Sequence, residues 1–261
     1  MINTSKKADP ALVEQTQERI SSDLPGRLPP LTGNIQYTSV IEQIYYGRHR
    51  LVFRIGTYLA LIRMMGIAHL VSALYGHMKL VTETHARLTR TRQTIVDLIR
   101  NGFDSPEGCK AVQRLRDAHN NLDATAEDYC YVLATFFLEP FRWNNQYGKK
   151  QLTQEEINEV LAFWRQVGQA MNIPNLPSTL LEWEQLQQYY EARYLKFSVE
   201  GHRLASMCLR DVVKLSLPYG TQSIFRQMMI TTIDPTIRES LGIHELSWYI
   251  RVPVRMLLRI I

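Results

Sequence analysis

The chain has 261 residues, 45% of them hydrophobic, and a formal net charge of +5. A chain of this length can bury a sizeable core in one large domain or two small ones. Its lysines and arginines are scattered and form no basic tract, so the charge does not support nucleic acid binding. The three cysteines, Cys109, Cys130 and Cys208, have neither metal-ligand spacing nor a plausible disulfide framework. This cysteine usage predicts a reducing, cytoplasmic compartment.

The beginning of the chain differs in composition from the rest. The first forty residues are polar and contain no apolar core of a signal peptide, so none is expected. The stretch DLPGRLPPLTGN is rich in proline and glycine, which interrupt helices. We therefore predict a flexible arm and linker over residues 1–37 and a folded domain over residues 38–261.

Residues 55–75 are apolar over about the length of a transmembrane helix. The segment carries Arg63 and His69 in its interior, and Gly66 and Gly76 indicate breaks. An arginine near the centre of a bilayer costs roughly 2.5–3.5 kcal/mol on insertion scales. Buried helices of a soluble protein are therefore favoured over a membrane span.

Helical periodicity runs through almost every segment beyond the linker. Ser105 and Pro106 are residue types suited to an N-cap and a first helical position, and Thr153 with Glu156 forms a capping box. Pro140 is expected to kink or divide its segment. Alternating β patterns are hard to find, and there is no glycine-rich phosphate loop. The predicted fold is all-α, a single globular domain of roughly ten helices.

Histidines are the first candidates for chemistry, because the sequence contains no HExxH, GxSxG or dinucleotide motif. Imidazole can ligate iron or transfer protons. Of the seven histidines, only His69 and His119 lie clearly among apolar helix neighbours. His119 shares a helical face with Val112, Leu115, Ala118 and Leu122. For both histidines, periodicity alone favours a core residue held by a neighbour over a metal ligand.

Arg87 and Thr91 place a guanidinium and a hydroxyl one turn apart on a helical face that also carries apolar residues. A partly buried arginine needs a partner, since an unpaired buried charge costs several kcal/mol. That partner is either structural, such as Asp128 or Glu139, or the carboxylate of a bound ligand. The residue pattern favours the structural pair.

A run of aromatic residues lies between residues 129 and 143: Tyr129, Tyr131, Phe136, Phe137, Phe141 and Trp143. Such a run is more often simply core than the lining of a flat cofactor or lipid site. Within it, Glu139 and Arg142 are spaced i and i+3, which predicts a local ion pair.

The order of these clusters resembles the oxygenase family named for MpaB and the latex-clearing rubber oxygenases. The likeness rests on RLTRT at residues 87–91, NGFDSPEGC at 101–109, RDAHNN at 116–121 and DYCYVLATFFLEPFRWNNQYG at 128–148. Two later segments are also similar to the family: FWRQVGQAMNIPNLPST at residues 163–179 and the basic C-terminal sequence. The resemblance covers residues 40–261, and it is greater to the MpaB-like branch than to the rubber oxygenases.

The resemblance implies an all-helical domain that encloses haem b. His119 matches the iron ligand of the rubber-cleaving branch, and Arg87 and Thr91 match an arginine and a threonine on the distal side. Arg90 stands where that branch has a lysine, and the branch's acidic base has no obvious counterpart, Glu83 being the nearest acid. The implied function is a haem-dependent oxygenase that uses molecular oxygen to cleave a carbon–carbon double bond in a hydrophobic, isoprenoid or polyprenyl substrate.

Two other classes of function stay open. A haem or lipid carrier without catalysis is favoured by Arg90 and by the missing acid. A cofactor-free protein of the membrane surface is favoured by the C-terminal text, in which Arg251, Arg255 and Arg259 recur every four residues. Such a helix more often docks onto its own domain, but peripheral membrane contact through it also suits an enzyme that takes up a lipid.

Overall fold

The computed structural model describes residues 39–75, 82–120, 122–216 and 222–258. Over these ranges the chain is helical, and one isolated antiparallel bridge, between Ile67 and Leu195, stands in place of any sheet. The all-α prediction is confirmed. The predicted arm at residues 1–37 lies outside the described residues, so the boundary at residue 38 stays a prediction.

Twelve α-helices follow one another in the described ranges. In chain order they are α1 (Val40–Glu42), α2 (Arg50–Met64), α3 (Ala68–Tyr75), α4 (Thr82–Asn101), α5 (Pro106–His119), α6 (Ala126–Tyr147), α7 (Gln154–Ala170), α8 (Leu180–Tyr194), α9 (Val199–Ser216), α10 (Gln222–Thr232), α11 (Pro235–Ser240) and α12 (Trp248–Leu258). A π-helical turn over Gln43–Arg48 connects α1 to α2.

The contact between α2 and α6 lies at the centre of the core. Gly56 permits it, because a Cβ at that position would lie 2.4 Å from the Cα of Pro140. Pro140 is buried within α6, which remains one helix from Ala126 to Tyr147. Of the two expected effects of Pro140, a kink or a division of the segment, the division is therefore wrong. The fixed φ of proline is compatible with a helix, and packing against α2 holds the chain around the missing N–H.

The apolar segment of residues 55–75 forms two helices. α2 ends at Met64, and α3 begins at Ala68 after a turn that contains Gly66. Ile55 and Ile62 of α2 are buried in the protein core. None of the helices described here is both long and apolar enough to cross a membrane. Buried helices, as expected, account for this segment.

The predicted helix starts are confirmed. The side chain of Ser105 caps α5, and Thr153 with Glu156 forms a capping box at α7. A further box joins Thr125 to Asp128 at the start of α6. These caps satisfy backbone N–H groups that a helix start leaves without partners.

The aromatic run of α6 belongs mainly to the core, as expected. Buried members are Tyr131, Phe137, Phe141 and Trp143, while Tyr129 and Phe136 are partly buried against the same cluster. The three cysteines all lie in the described residues and form no disulfide with one another.

Candidate functional site

A helical hairpin formed by α4 and α5 carries most of the predicted site residues. Gly102 ends α4 with a φ of +70°, a conformation that favours glycine. Gly108 lies so close to this turn that a Cβ would be 1.9 Å from the Gly102 carbonyl oxygen. Arg114 Nη2 binds Asp97 Oδ2 across the hairpin at 2.5 Å. Counting outward from that ion pair along the two antiparallel helices places His119 level with the turn of α4 that contains Thr91.

His119 is the last residue of α5 and is partly buried. Its Nδ1 lies 2.6 Å from the backbone carbonyl oxygen of Leu115, one turn earlier. Because a carbonyl only accepts hydrogen bonds, Nδ1 carries the proton, and in the neutral ring Nε2 carries the lone pair. The tautomer is therefore the one in which Nε2 can bind a metal.

Tyr129 of α6 holds the same histidine from the other side. Its ring meets the His119 ring edge to face, with centroids 5.8 Å apart, and its hydroxyl donates to the His119 carbonyl oxygen at 3.1 Å. The predicted inward face of α5 is confirmed at buried Leu115 but not at Ala118, which is exposed. Helix α5 ends at His119. Helical spacing therefore no longer predicts the direction of the side chains at this end of the helix.

The predicted residues of α4 are placed unequally. Thr91 is partly buried, Arg90 is exposed, and Thr94 is buried with its hydroxyl donating to the Arg90 carbonyl oxygen at 3.0 Å. The side chain of Arg87 lies outside the described residues, although its helix is placed. Its two suggested structural partners, Asp128 and Glu139, bind other residues.

Glu139 takes part in a buried ion network whose long-range partners the sequence pattern does not predict. Arg63 Nη1 lies 2.9 Å from Glu139 Oε1, and Arg63 Nε lies 2.6 Å from Glu191 Oε1. Arg142 binds the same oxygen of Glu139, which confirms the predicted i, i+3 ion pair. Burial alone would lower the pKa of Arg63, but the hydrogen bonds and charges of the two glutamates outweigh it and raise that pKa.

Asp128 belongs to a second cluster, with His69 and Tyr190. His69 Nε2 lies 2.8 Å from Asp128 Oδ1 and 2.9 Å from the Tyr190 hydroxyl oxygen, and Tyr190 donates to the same carboxylate oxygen. Burial would raise the pKa of Asp128, but hydrogen bonds from Tyr190, the Thr125 backbone and His69 lower it. His69 therefore has hydrogen-bonding neighbours, as expected. Its side chain is 42% exposed, however, so it is not the core residue that its apolar neighbours predicted.

Both clusters were missed because their partners are distant in the chain. Arg63 and His69 lie within an apolar segment of the sequence. This indicates that each side chain needs a polar or charged partner, but it does not identify that partner. Glu191 lies 128 residues from Arg63, and Asp128 lies 59 residues from His69.

The positions of these side chains determine which of them could hold a metal ion. Within the described part of the chain no three His, Cys, Asp or Glu side chains are grouped as metal ligands. His119 would hold a haem iron through Nε2, because its other ring nitrogen, Nδ1, is bound to the Leu115 carbonyl oxygen. A cleft of about 420 Å³ opens between the α4–α5 turn and the end of α7, and His119 is not among its lining residues.

Helix α12 docks onto the domain along one side only. Val254 and Leu258 are buried, whereas Trp248, Val252 and Met256, spaced four residues apart, are exposed. Arg255 is exposed on the same helix and Arg251 binds Glu245, while Arg259 lies outside the described residues. The predicted docking onto the domain is thus confirmed for one face, and an apolar, aromatic and basic face remains.

Residues 45–261 match a family model described as "ER-bound oxygenase mpaB/B'/Rubber oxygenase, catalytic domain". The chain is 27% identical over 216 residues to the protein named ER-bound oxygenase mpaB of Penicillium brevicompactum, an alignment that covers 72% of this chain and 55% of that protein. It is 26% identical over 186 residues to ER-bound oxygenase mpaB' of the same organism, covering 62% of this chain and 44% of that protein. The chain therefore spans about half the length of these relatives.

Proposed function

Because the chain belongs to the family of the mpaB and rubber oxygenases, we propose that it is a haem b-dependent oxygenase. The proposed substrate is a hydrophobic molecule of isoprenoid, polyprenyl or other lipid-like structure, and the co-substrate is molecular oxygen. The proposed reaction is oxidative cleavage of a carbon–carbon double bond.

The orientation of His119 is the observation that carries the haem assignment. Histidines that bind metals commonly donate their second ring nitrogen to a carbonyl or carboxylate, which sets the tautomer and makes the ligating nitrogen more basic. The hydrogen bond from His119 Nδ1 to the Leu115 carbonyl oxygen, at 2.6 Å, is of this kind. His119 would therefore hold the haem iron, with Nε2 as the binding atom.

Haem would supply the binding and activation of oxygen. Arg87 and Thr91 are proposed to act from the facing helix, one turn apart. The guanidinium of Arg87 would neutralise a propionate or polarise bound oxygen, and the Thr91 hydroxyl would donate a hydrogen bond to an oxygen ligand. Arg90 cannot replace a lysine as an iron ligand because it stays protonated, so its proposed role is electrostatic.

We propose that apolar helices of the domain exclude water from the substrate. Helices α2 and α6 present buried apolar and aromatic side chains, among them Leu59, Phe137 and Phe141. Exclusion of water by such side chains favours a lipid-like chain and strengthens electrostatic interactions with oxygen ligands.

The absorption spectrum of the purified full-length protein, reconstituted with haem, tests this assignment. The wild-type protein should show a Soret band, and His119→Ala should abolish it. The matched control is His202→Ala, because His202 Nδ1 also binds a backbone carbonyl oxygen, that of Leu241, at 2.7 Å. Circular dichroism of both variants establishes that they fold. A Soret band unchanged in His119→Ala would remove the assignment of the ligand.

A non-catalytic carrier of haem or lipid is the second candidate. It is favoured by Arg90, which stands exposed at the position of a lysine in the rubber-cleaving branch. Oxygen consumption by the haem-loaded protein with a polyprenyl substrate separates the two candidates. Consumption that depends on both haem and substrate supports the oxygenase, and a haem-loaded but inactive protein supports the carrier.

We place the protein on the cytoplasmic side, in peripheral contact with a membrane through α12. The exposed Trp248 and Tyr249 are residue types found at membrane interfaces, and Arg255 supplies positive charge for anionic lipid headgroups. The names of the two Penicillium relatives describe those proteins as bound to the endoplasmic reticulum. Contact with a membrane would give the proposed site access to a lipid-like substrate.

A further inference from the structure

Three tyrosine rings contact one another in series between α6 and α8, the first pair stacked and the second pair tilted by 53°. The rings of Tyr131 and Tyr190 are stacked with centroids 4.2 Å apart and planes 16° apart, and the ring of Tyr194 lies 4.7 Å from that of Tyr190. Tyr131 and Tyr190 are fully buried, whereas Tyr194 is partly exposed and lies beneath the guanidinium of Arg193. This series of rings therefore leads from the core to the protein surface.

Tyr190, the middle tyrosine of this series, has a proton acceptor within hydrogen-bond distance. Its hydroxyl donates to Asp128 Oδ1. The other carboxylate oxygen, Oδ2, accepts from the Thr125 backbone N–H at 2.7 Å. His69 Nε2 also lies 2.8 Å from Oδ1, and because an ionised carboxylate only accepts, that nitrogen must carry a proton. Three donors thus hold Asp128 as an ionised acceptor for the Tyr190 proton.

Tyr131 is less suited to lose its proton than Tyr190 is. Its hydroxyl donates to Glu191 Oε1 at 3.1 Å, but the same carboxylate is bound through two hydrogen bonds by the guanidinium of Arg63. The Tyr131 hydroxyl therefore shares its acceptor with a permanently charged guanidinium, whereas the Tyr190 hydroxyl shares Asp128 Oδ1 with His69 Nε2.

We propose that Tyr190 is a redox-active tyrosine. A strong one-electron oxidant takes one electron from the phenol, the hydroxyl proton moves to the Asp128 carboxylate, and a neutral phenoxyl radical remains. One electron from a small-molecule reductant and return of the proton from Asp128 restore the phenol. In the cofactor-loaded protein the oxidant would be an oxidised metal centre, and in that respect the inference rests on the proposed function.

The position of Asp128 connects this cluster to the candidate site. Asp128 is adjacent in α6 to Tyr129, whose ring contacts His119, and adjacent Cα atoms lie about 3.8 Å apart. The first turn of α6 therefore contacts both Tyr190, through Asp128, and His119, through Tyr129. Oxidising equivalents formed without substrate would pass from the site to Tyr190, and through Tyr194 to a reductant at the surface.

Photo-oxidation tests the inference without haem. The purified full-length protein is mixed with a ruthenium(II) polypyridyl complex and a sacrificial electron acceptor, illuminated, and frozen after increasing delays for electron paramagnetic resonance. A long-lived phenoxyl signal is expected in the wild type and should be lost in Tyr190→Phe. The matched control is Tyr189→Phe, since Tyr189 is the preceding residue of α8 and is 64% exposed. It should keep the long-lived signal.

Asp128→Asn provides the second test, because an amide cannot take the proton. It should shorten the life of the signal while the phenol remains, and circular dichroism shows whether the variant folds. A wild-type protein without a long-lived radical, or a signal equal in Tyr190→Phe, would overturn the inference. Because the oxidant is added, that result is distinct from the loss of a Soret band, which would overturn the proposed function.

Discussion

Arg63 binds Glu191 through two parallel hydrogen bonds, with Nε 2.6 Å from Oε1 and Nη2 2.8 Å from Oε2. Arg63 is only 6% exposed. The pair joins α2 to α8, and Glu139 of α6 binds the third guanidinium nitrogen at 2.9 Å. Buried arginines need such planar, two-point partners because the guanidinium cannot lose its charge. The network therefore sets how three helices meet beside the core.

Removal of one charge from this network should destabilise the protein strongly. Arg63→Met leaves the buried Glu191 without its arginine and Glu139 with Arg142 alone, and loss of one partner of a buried ion pair typically costs about 3–5 kcal/mol. The measurement is urea unfolding followed by circular dichroism. The control is Arg114→Met, because its ion pair with Asp97 is half exposed and such pairs contribute about 0–1 kcal/mol. Equal losses in the two variants would contradict a structural role for the buried network.

The contrast between local and distant contacts shows what the sequence could predict. Capping of α5 by Ser105 and the pairing of Glu139 with Arg142 depend on spacings of three residues, which a helix fixes. The partners of Arg63 and His69 depend instead on which helices pack together. Periodicity assigns a residue to a face of its own helix but carries no information about the opposite helix. The candidate iron ligand is predicted by resemblance, and its hydrogen bond to the Leu115 carbonyl oxygen is a local contact between residues four apart in α5.

Stability should depend on pH through Asp128. In the folded protein its pKa lies below the ordinary value of 3.8, so the unfolded chain takes up a proton first as the pH falls. The stabilisation is present above the unfolded pKa and is lost as the pH decreases through the lower folded value. We expect the free energy of unfolding to decrease below about pH 4. Tyr190→Phe removes one donor, moves the folded pKa of Asp128 towards its ordinary value, and should make that decrease smaller. The free energy of unfolding is measured by urea unfolding at several acid pH values. An equal decrease with falling pH in the wild type and in Tyr190→Phe would contradict this role of the Tyr190 hydroxyl.

Gly56 should not tolerate a larger residue. Alanine usually favours a helix over glycine by about 1 kcal/mol, but here its Cβ would lie 2.4 Å from the Cα of Pro140. The opposing atom is backbone and cannot rotate away, so the cost should lie at the upper end of the about 1–3 kcal/mol typical of overpacking. Gly56→Ala should therefore lower the midpoint of thermal unfolding. Leu51→Ala, on the exposed face of the same helix, serves as the control and should change the midpoint much less.

Tyr129 should support haem binding through His119. Residues that orient a metal ligand typically contribute about 10–100-fold to metal affinity. Tyr129→Ala removes both the ring contact at 5.8 Å and the hydrogen bond to the His119 carbonyl oxygen, whereas Tyr129→Phe removes only the latter. Haem titration followed at the Soret band should give affinities for haem that decrease from the wild type to the Phe variant and further to the Ala variant. Tyr189→Phe is the control for an exposed tyrosine, and an Ala variant that titrates like the wild type would exclude Tyr129 as a positioning residue.

The exposed face of α12 should bind anionic lipid. Trp248 is 72% exposed and Met256 is 63% exposed, which is more apolar surface than a helix needs for docking through Val254 and Leu258. Trp248→Ala should weaken binding to vesicles that contain phosphatidylserine because it removes an interfacial anchor, and Arg255→Glu should weaken it by charge repulsion. The electrostatic part should decline with added salt, whereas the contribution of Trp248 should persist. Phe197→Ala is the control, since Phe197 is 57% exposed but lies between α8 and α9. Equal losses in the Trp248 and Phe197 variants in a sedimentation assay would indicate non-specific adsorption of exposed aromatics, and α12 would then have no special part in membrane contact.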